Sequence, residues 1–281
     1  MKRILLTLIP KLLGYYFNAI ALVAPKRAGK LALLTFAKVR KGQLDGQRTL
    51  PLLEEAKSER FSIGTHEIQS YHWPGEKEAV LLLHGWESNT HRWRNLISQL
   101  KKEKYEIYAL DAPAHGYSTG NYHFLPDFVE AAYHLVQKHN IKTLIGHSMG
   151  GMAICYLLFK HKENPVQRFI TLGAPVDFSL IVAGYNRRVP FNKKVYQALD
   201  QEMYRLVNMN IEAFSSRRFA KEIHQKALLM HDRFDPTIPS SQSEKLHKAL
   251  ENSELVVTEN FGHSMHQDEV CAKIMLFLNN N

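Results

Sequence analysis

Cysteine is scarce in this chain of 281 residues, and Cys155 and Cys271 are the only two. Each stands in an apolar stretch that reads as buried helix. The pattern is not that of a disulfide framework, and a reducing compartment suits it. Neither cysteine has metal-ligand spacing. The histidines form no His-x-x-x-His or His-Glu-x-x-His array, so no metal and no cofactor is expected. Internal repeats and low-complexity tracts are also missing. So are acidic residues from the first 44 positions, where nine basic residues stand alone (Lys2, Arg3, Lys11, Lys26, Arg27, Lys30, Lys38, Arg40, Lys41). The whole chain has 36 basic and 27 acidic residues. Residues 45–281 are therefore formally neutral, and the basicity belongs to the leader alone. That leader interleaves its charges with Leu, Ile, Ala and Phe. Such a mixture suits a lipid surface or a packed helix better than a phosphate groove, so no nucleic-acid partner is expected.

What is present begins with that leader, residues 1–45. Residues 4–24 are almost wholly apolar, with Arg3, Thr7, Lys11, Gly14 and Asn18 recurring as one narrow polar stripe. Pro10 should kink this helix or mark a boundary in it. A second helix over 26–41 gathers Ala28, Ala32, Phe36 and Val39 on one face and its lysines and Arg27 on the other. Four readings compete: a membrane-crossing helix, a secretory signal, an amphipathic anchor on an anionic membrane surface through residues 1–41, and a helix pair packed on the body. Lys11 and Pro10 weigh against the first two. The expected location is cytoplasmic, with the leader as the route to a membrane surface.

Beyond Gly42 the periodicity changes. Residues 60–73 alternate as strands do, and Pro74-Gly75 makes a turn. Strands are expected at Ala79–Leu83, Tyr105–Leu110, Ile141–Ile145, Arg168–Leu172, Ala227–Met230 and Glu254–Thr258. Helices are expected between most of them, near 90–104, 125–139, 149–160 and 240–250, with another at the C-terminus. This alternation predicts an α/β fold with a parallel sheet, in a domain over 46–281. The alternation pauses at about 177–225, which reads as a helical cap over the sheet edge where α/β sheets hold ligands.

Within that frame Gly146-His147-Ser148-Met149-Gly150-Gly151 follows an apolar run and precedes a helical one. Gly-x-Ser-x-Gly in a strand–turn–helix setting is a nucleophile elbow, whose strained turn lifts the serine hydroxyl out of the sheet. Here the chain resembles the α/β-hydrolase superfamily, in its esterase- and lipase-like branch. The resemblance covers residues 60–281 and leaves the leader unexplained. It implies a mostly parallel eight-stranded sheet with a helical lid after the sixth strand.

Three further motifs match in order. His84-Gly85-Trp86 resembles the oxyanion loop, which makes the backbone N–H groups of Trp86 and Met149 the implied oxyanion donors. Asp111-Ala-Pro-Ala-His-Gly-Tyr-Ser118 resembles a structural loop of the family, with Ala114 where glycine is usual. His231–Pro239 resembles the acid loop. There Asp235 matches the triad acid, with Asp232 and Asp177 as alternatives. Gly262-His263 matches the base, with His266 as its alternative. The resemblance thus implies a serine hydrolase that cleaves carboxylic esters or thioesters of small molecules through an acyl-enzyme on Ser148. Rival readings are a C–C hydrolase, a perhydrolase or a peptidase on the same triad, and a non-catalytic binding protein that keeps the fold. Oligomeric state leaves no trace in the sequence.

Overall fold

The strand-length apolar runs do become one sheet. The computed structural model describes residues 2–45 and 50–280, with side chains from residue 8 onward in the first helix. The strands are β1 (Lys57–Ile63), β2 (His66–Trp73), β3 (Lys77–Leu83), β4 (Tyr105–Leu110), β5 (Thr143–His147), β6 (Arg168–Leu172), β7 (Lys226–Asp232) and β8 (Ser253–Thr258). The helices are α1 (Lys2–Val23), α2 (Pro25–Ala37), α3 (Pro51–Glu54), α4 (Arg94–Lys102), α5 (Leu125–Lys138), α6 (Met149–Lys160), α7 (Phe178–Arg188), α8 (Lys193–Val207), α9 (Ser216–Phe219), α10 (Ser241–His247) and α11 (Asp268–Asn279). They divide into two compact units. One joins Met1–Lys38 to Asp177–Ser215, and the other joins Val39–Val176 to Ser216–Asn281.

The larger unit holds the eight-stranded sheet, in the order β1-β2-β4-β3-β5-β6-β7-β8. β1 pairs antiparallel with β2, and β2 with β4; every other pair is parallel. The central strands are apolar on both faces because both are covered. On β3, Val80 and Leu82 point into a core with Trp93, Ile97 and Leu100 of the α4 region and Ile274 and Phe277 of α11. Leu81 and Leu83 alternate with them and are equally buried, on the face that carries α5 and α6. Each such side chain contributes roughly 1.5–3 kcal/mol. Cys155 and Cys271 lie buried on α6 and α11, where burial pushes their thiols up to about 12 and about 11.

Two boundaries differ from the periodic reading. β5 starts at Thr143 because the Ile141 N–H is taken by the Val136 carbonyl at 3.1 Å, which keeps Ile141 in the helix-to-strand turn. The strand therefore runs on through Gly146 and His147. Residues 39–45 go with the sheet-bearing unit and not with the leader. Val39 N–H donates to Asn121 O at 3.0 Å, and Leu44 N–H to Gly116 O at 3.0 Å.

One buried cluster fixes the loops after β3 and β4. Asp111 accepts from Thr90 N–H at 2.8 Å, Tyr117 N–H at 3.0 Å and Tyr71 O–H at 2.9 Å. His84 Nε2 accepts from Ala112 N–H at 2.9 Å, and His115 Nε2 from Glu87 N–H at 3.0 Å. An imidazole nitrogen that accepts a hydrogen bond is unprotonated, so both rings are neutral. Ala114, in place of the usual glycine, takes a φ of 66° and carries the strain of that left-handed turn.

In the smaller unit α2 packs on α8, and α1 packs on α2, α7 and α8. Small residues permit the approach: a Cβ on Gly29 would lie 2.6 Å from the Ala198 carbonyl, and one on Gly14 would lie 2.2 Å from the Pro190 oxygen. α1 continues through Pro10 without a break in the helix. Of its polar stripe, Arg3 and Thr7 lie outside the described side chains. Gly14 and Asn18 face inward; Asn18 accepts from Asn192 N–H at 2.7 Å and donates to Pro190 O at 3.4 Å. The segment after β6 supplies only residues 177–215 to this unit, while α9 and the residues up to 225 belong with the sheet.

Two outcomes follow. Gly29→Ala raises intrinsic helix propensity by about 1 kcal/mol. It nevertheless lowers the melting temperature of the whole chain, because the methyl group meets Ala198 backbone; a rise would contradict the packing described. The second outcome concerns acid. Burial lowers His84 and His115 to about 4, against an unfolded value of about 6.5, and holds His123 well below the usual histidine range as well. The unfolded chain thus binds protons that the folded chain refuses. Their stabilisation is complete above about pH 6.5 and is lost as pH falls toward 4, on the order of a few kcal/mol in total. Urea unfolding at stepped pH measures this, and a flat profile over that window would contradict it.

Candidate active site

Four loops leave the C-terminal ends of parallel strands and converge. The loop after β3 begins with His84-Gly85-Trp86, and the turn after β5 is Ser148. The loop after β7 carries Asp235, and the loop after β8 carries His263. β3 is flanked by β4 and β5 and connects in sequence to β4, so the chain reverses its direction of winding beside β3. That reversal opens a crevice at the strand ends.

Ser148 stands between strand and helix with φ 51° and ψ −117°. Such a conformation costs a non-glycine residue about 1–3 kcal/mol and persists only where its surroundings hold it. Ser148 N–H donates to Leu172 O at 2.8 Å, which ties the turn to the end of β6. Gly150 lies so close to β3 that a Cβ there would fall 2.1 Å from the Leu83 oxygen. Any side chain at 150 would push α6 off the sheet. Gly85 backs onto the turn from β3: its Cβ would lie 3.1 Å from the Ser148 Cβ and 2.8 Å from His147 Nδ1. Met149 opens α6, and the first N–H groups of a helix have no intrahelical acceptor.

Ser148, Asp235 and His263 come together in one hydrogen-bonded chain. Ser148 Oγ is 3.0 Å from His263 Nε2, and His263 Nδ1 is 2.7 Å from Asp235 Oδ2. The carboxylate must accept, so Nδ1 carries the proton and Nε2 is left to accept from the serine hydroxyl. Asp235 Oδ1 accepts from Thr237 N–H at 2.7 Å and Ile238 N–H at 3.0 Å. Buried His231 places Nε2 3.4 Å from Oδ2. Burial alone would raise the pKa of Asp235. The donors from His231, His263, Ile238 and Thr237 outweigh it and hold the carboxyl well below its ordinary value.

The alternatives have other partners. Asp232 accepts from Phe234 N–H at 3.0 Å, Phe261 N–H at 2.8 Å and Thr258 Oγ1–H at 3.1 Å, so it joins the loop after β7 to the loop that carries His263. Asp177 accepts from Ser215 Oγ–H at 2.7 Å. His266 contributes its carbonyl to Asn95 Nδ2 at 3.0 Å.

Three contributors escaped the motif reading. His147 Nε2–H donates to the His263 carbonyl at 2.7 Å and pins the backbone of that residue from β5. Burial, and then nearby Arg92, keep His147 well below the usual histidine range, so its ring is neutral. Arg92 donates to Ser264 O at 2.6 Å while its guanidinium lies 4.5 Å from the Trp93 ring centroid. His231 is locked on both nitrogens, with Nδ1 2.7 Å from Ser243 Oγ and Nε2 2.9 Å from Ile238 O. His231 lies four residues before Asp235 and His147 immediately before Ser148. Those intervals were the available signals, but neither identifies a hydrogen-bond partner.

Residues 78–205 match the family model described as alpha/beta hydrolase fold, and residues 211–280 match the one described as TAP-like protein. The AB hydrolase superfamily protein YisY of Bacillus subtilis (strain 168) is 23% identical over 240 residues, covering 69% of this chain and 88% of that protein. A pimeloyl-[acyl-carrier protein] methyl ester esterase of Neisseria meningitidis serogroup A is 24% identical over 231 residues, covering 68% of this chain and 72% of that protein. Among solved structures, Est1E of Butyrivibrio proteoclasticus with ferulic acid bound superposes with a TM-score of 0.64 at 14% identity, over 78% of this chain and 97% of that one. At that identity the superposition speaks for the fold. Two adjoining family matches, laid on a sheet wound in this order, agree with it: this chain belongs to the α/β-hydrolase superfamily.

Proposed function

We propose that the chain is a serine esterase that cleaves carboxylic esters or thioesters of small molecules through an acyl-enzyme on Ser148. The observation that carries this reading is the hydrogen-bonded chain Ser148–His263–Asp235 at the ends of β5, β8 and β7. The relative named as a methyl ester esterase supports the ester class.

In this mechanism His263 Nε2 takes the hydroxyl proton as Ser148 Oγ attacks the substrate carbonyl. The imidazolium that forms is stabilised by Asp235, which stays ionised because its four donors hold it so. Trp86 and Met149 contribute backbone N–H groups to the oxyanion. Fixed donors of this kind need no reorganisation as charge develops, and losing one costs about 10²–10³ in rate. The contact of Gly85 with Ser148 supports Trp86 in that role, since it brings the backbone of this loop against the nucleophile. His263 then returns its proton to the leaving alkoxide or thiolate. A water, deprotonated by the same nitrogen, attacks the acyl-enzyme and releases the acid.

A fluorophosphonate probe is expected to label the folded chain once, at Ser148. Labelling that survives Ser148→Ala, or no labelling of the wild type, would sink the proposal. On a panel of nitrophenyl esters graded by chain length, Ser148→Ala lowers turnover by about 10⁴–10⁶. Asp235→Asn lowers kcat by about 10³–10⁴ with a smaller change in KM, because it supplies the wrong hydrogen-bond partner to Nδ1. Asp232→Asn, by contrast, is expected to act mainly on stability. Equal kcat losses in the two variants would remove the distinction between the acids.

A further inference from the structure

α1 is packed the wrong way round for a soluble amphipathic helix. Its inward residues include Gly14, Phe17, Asn18 and Ala21, while Leu8, Leu12, Tyr15, Tyr16, Leu22 and Val23 point outward. The outward set recurs every three or four residues and so forms one continuous stripe. It is highly exposed, with Leu12 at 63%, Tyr15 at 64% and Val23 at 87%. The reason lies in the packing already described: Gly14 and Asn18 are needed against Pro190 and Asn192, which leaves the large apolar side chains on the far side.

Exposed cations stand on α1 and on the segments that adjoin it. Lys11 is exposed on α1 itself, and Lys26, Arg27 and Lys30 are exposed at the start of α2, directly after Val23. Pro190, which abuts Gly14, is bracketed by exposed Arg187, Arg188, Lys193 and Lys194. The unit made of Met1–Lys38 and Asp177–Ser215 carries twelve basic and four acidic residues. It therefore holds eight of the nine net positive charges of the chain, and no acid occurs on α1 or α2. Among the described residues no helix is long and apolar enough to cross a membrane.

We infer that the outward face of α1 docks on a membrane surface containing anionic lipid, with the helix lying in the interface. Apolar and tyrosine side chains at headgroup depth and flanking Lys and Arg are the two signals that such binding needs, and neither alone suffices. A protein partner for the stripe would have to present both a large apolar groove and an acidic rim. An anionic bilayer presents both properties everywhere. The inference is independent of the triad.

The test is flotation of the whole chain with vesicles of equal parts phosphatidylglycerol and phosphatidylcholine, and with phosphatidylcholine alone. The wild type is expected to float with the anionic vesicles, less so at high salt because the charges are screened. Leu12→Glu combined with Tyr16→Glu alters only exposed positions, and it should lower the bound fraction about tenfold or more. Lys193→Glu combined with Lys194→Glu should weaken binding to the anionic vesicles by a similar factor while leaving the apolar stripe intact. Thermal melts matching the wild type show that each variant is folded. Should the first variant fail to fold, the second and the salt series decide. Absence of wild-type flotation with anionic vesicles, or equal flotation of wild type and both variants, overturns the inference. So does sedimentation as a dimer that the first variant dissociates without any vesicle binding, since the stripe would then join two copies of the chain.

Discussion

The site depends on how closely α6 can approach β3. Gly150 has no room for even a methyl group against the Leu83 carbonyl. That contact sets where α6 begins and so fixes the turn that precedes it. The turn forces Ser148 to a φ of 51°. The strain is not relieved locally; the Leu172 carbonyl, the backbone of Gly85 and the body of α6 hold it in place. A hydroxyl raised at a strand end by this means is already aimed before any substrate binds. Pre-organisation of this kind is what a proposed nucleophile requires.

Buried carboxylates do the corresponding work for the other loops. Asp111 gathers the loops after β3 and β4 through two backbone N–H groups and Tyr71. Asp232 gathers the loops after β7 and β8 in the same way. Asp235 uses the same device with a different outcome, because one of its donors is His263, whose other nitrogen reaches Ser148. All three accept backbone N–H groups, and Asp235 differs in that it also accepts from His263. The depressed pKa of Asp235 is therefore a property of its four donors together. In the proposed mechanism, stabilisation of an imidazolium is one more use of a carboxylate that those donors already keep charged.

How legible was this in the sequence? Ser148, Asp235 and His263 were readable because each sits in a short motif whose spacing is dictated by one tight turn. The sheet was readable because buried parallel strands must be apolar throughout. His147, His231 and Arg92 were not, because their partners lie on other strands or loops, and local spacing carries no information about which strands become neighbours. The apolarity of Ile141 suits a strand, yet the residue is buried in a turn; burial and strand geometry coincide often but not by necessity. Charge groups residues 39–45 with the leader, although backbone hydrogen bonds to residues 116 and 121 decide their place.

The leader shows the same limit in its clearest form. Helical periodicity told which residues of α1 share a face, and the polar stripe through Gly14 and Asn18 was visible in the sequence. Periodicity does not say which face is turned inward. The default assumption, that the apolar face is buried, fails because interhelical distance is set by the smallest residues available. Gly14, Ala21, Ala28, Gly29, Ala32 and Ala198 allow backbones to approach, and all are buried. A helix that packs through small residues must carry its large ones on the other side. An apolar stripe left outside in this way exposes surface to water at a cost of roughly 25 cal/mol per Å² for as long as it stays uncovered. A chain that concentrates nearly all of its net positive charge in the same unit has a specific way to cover it.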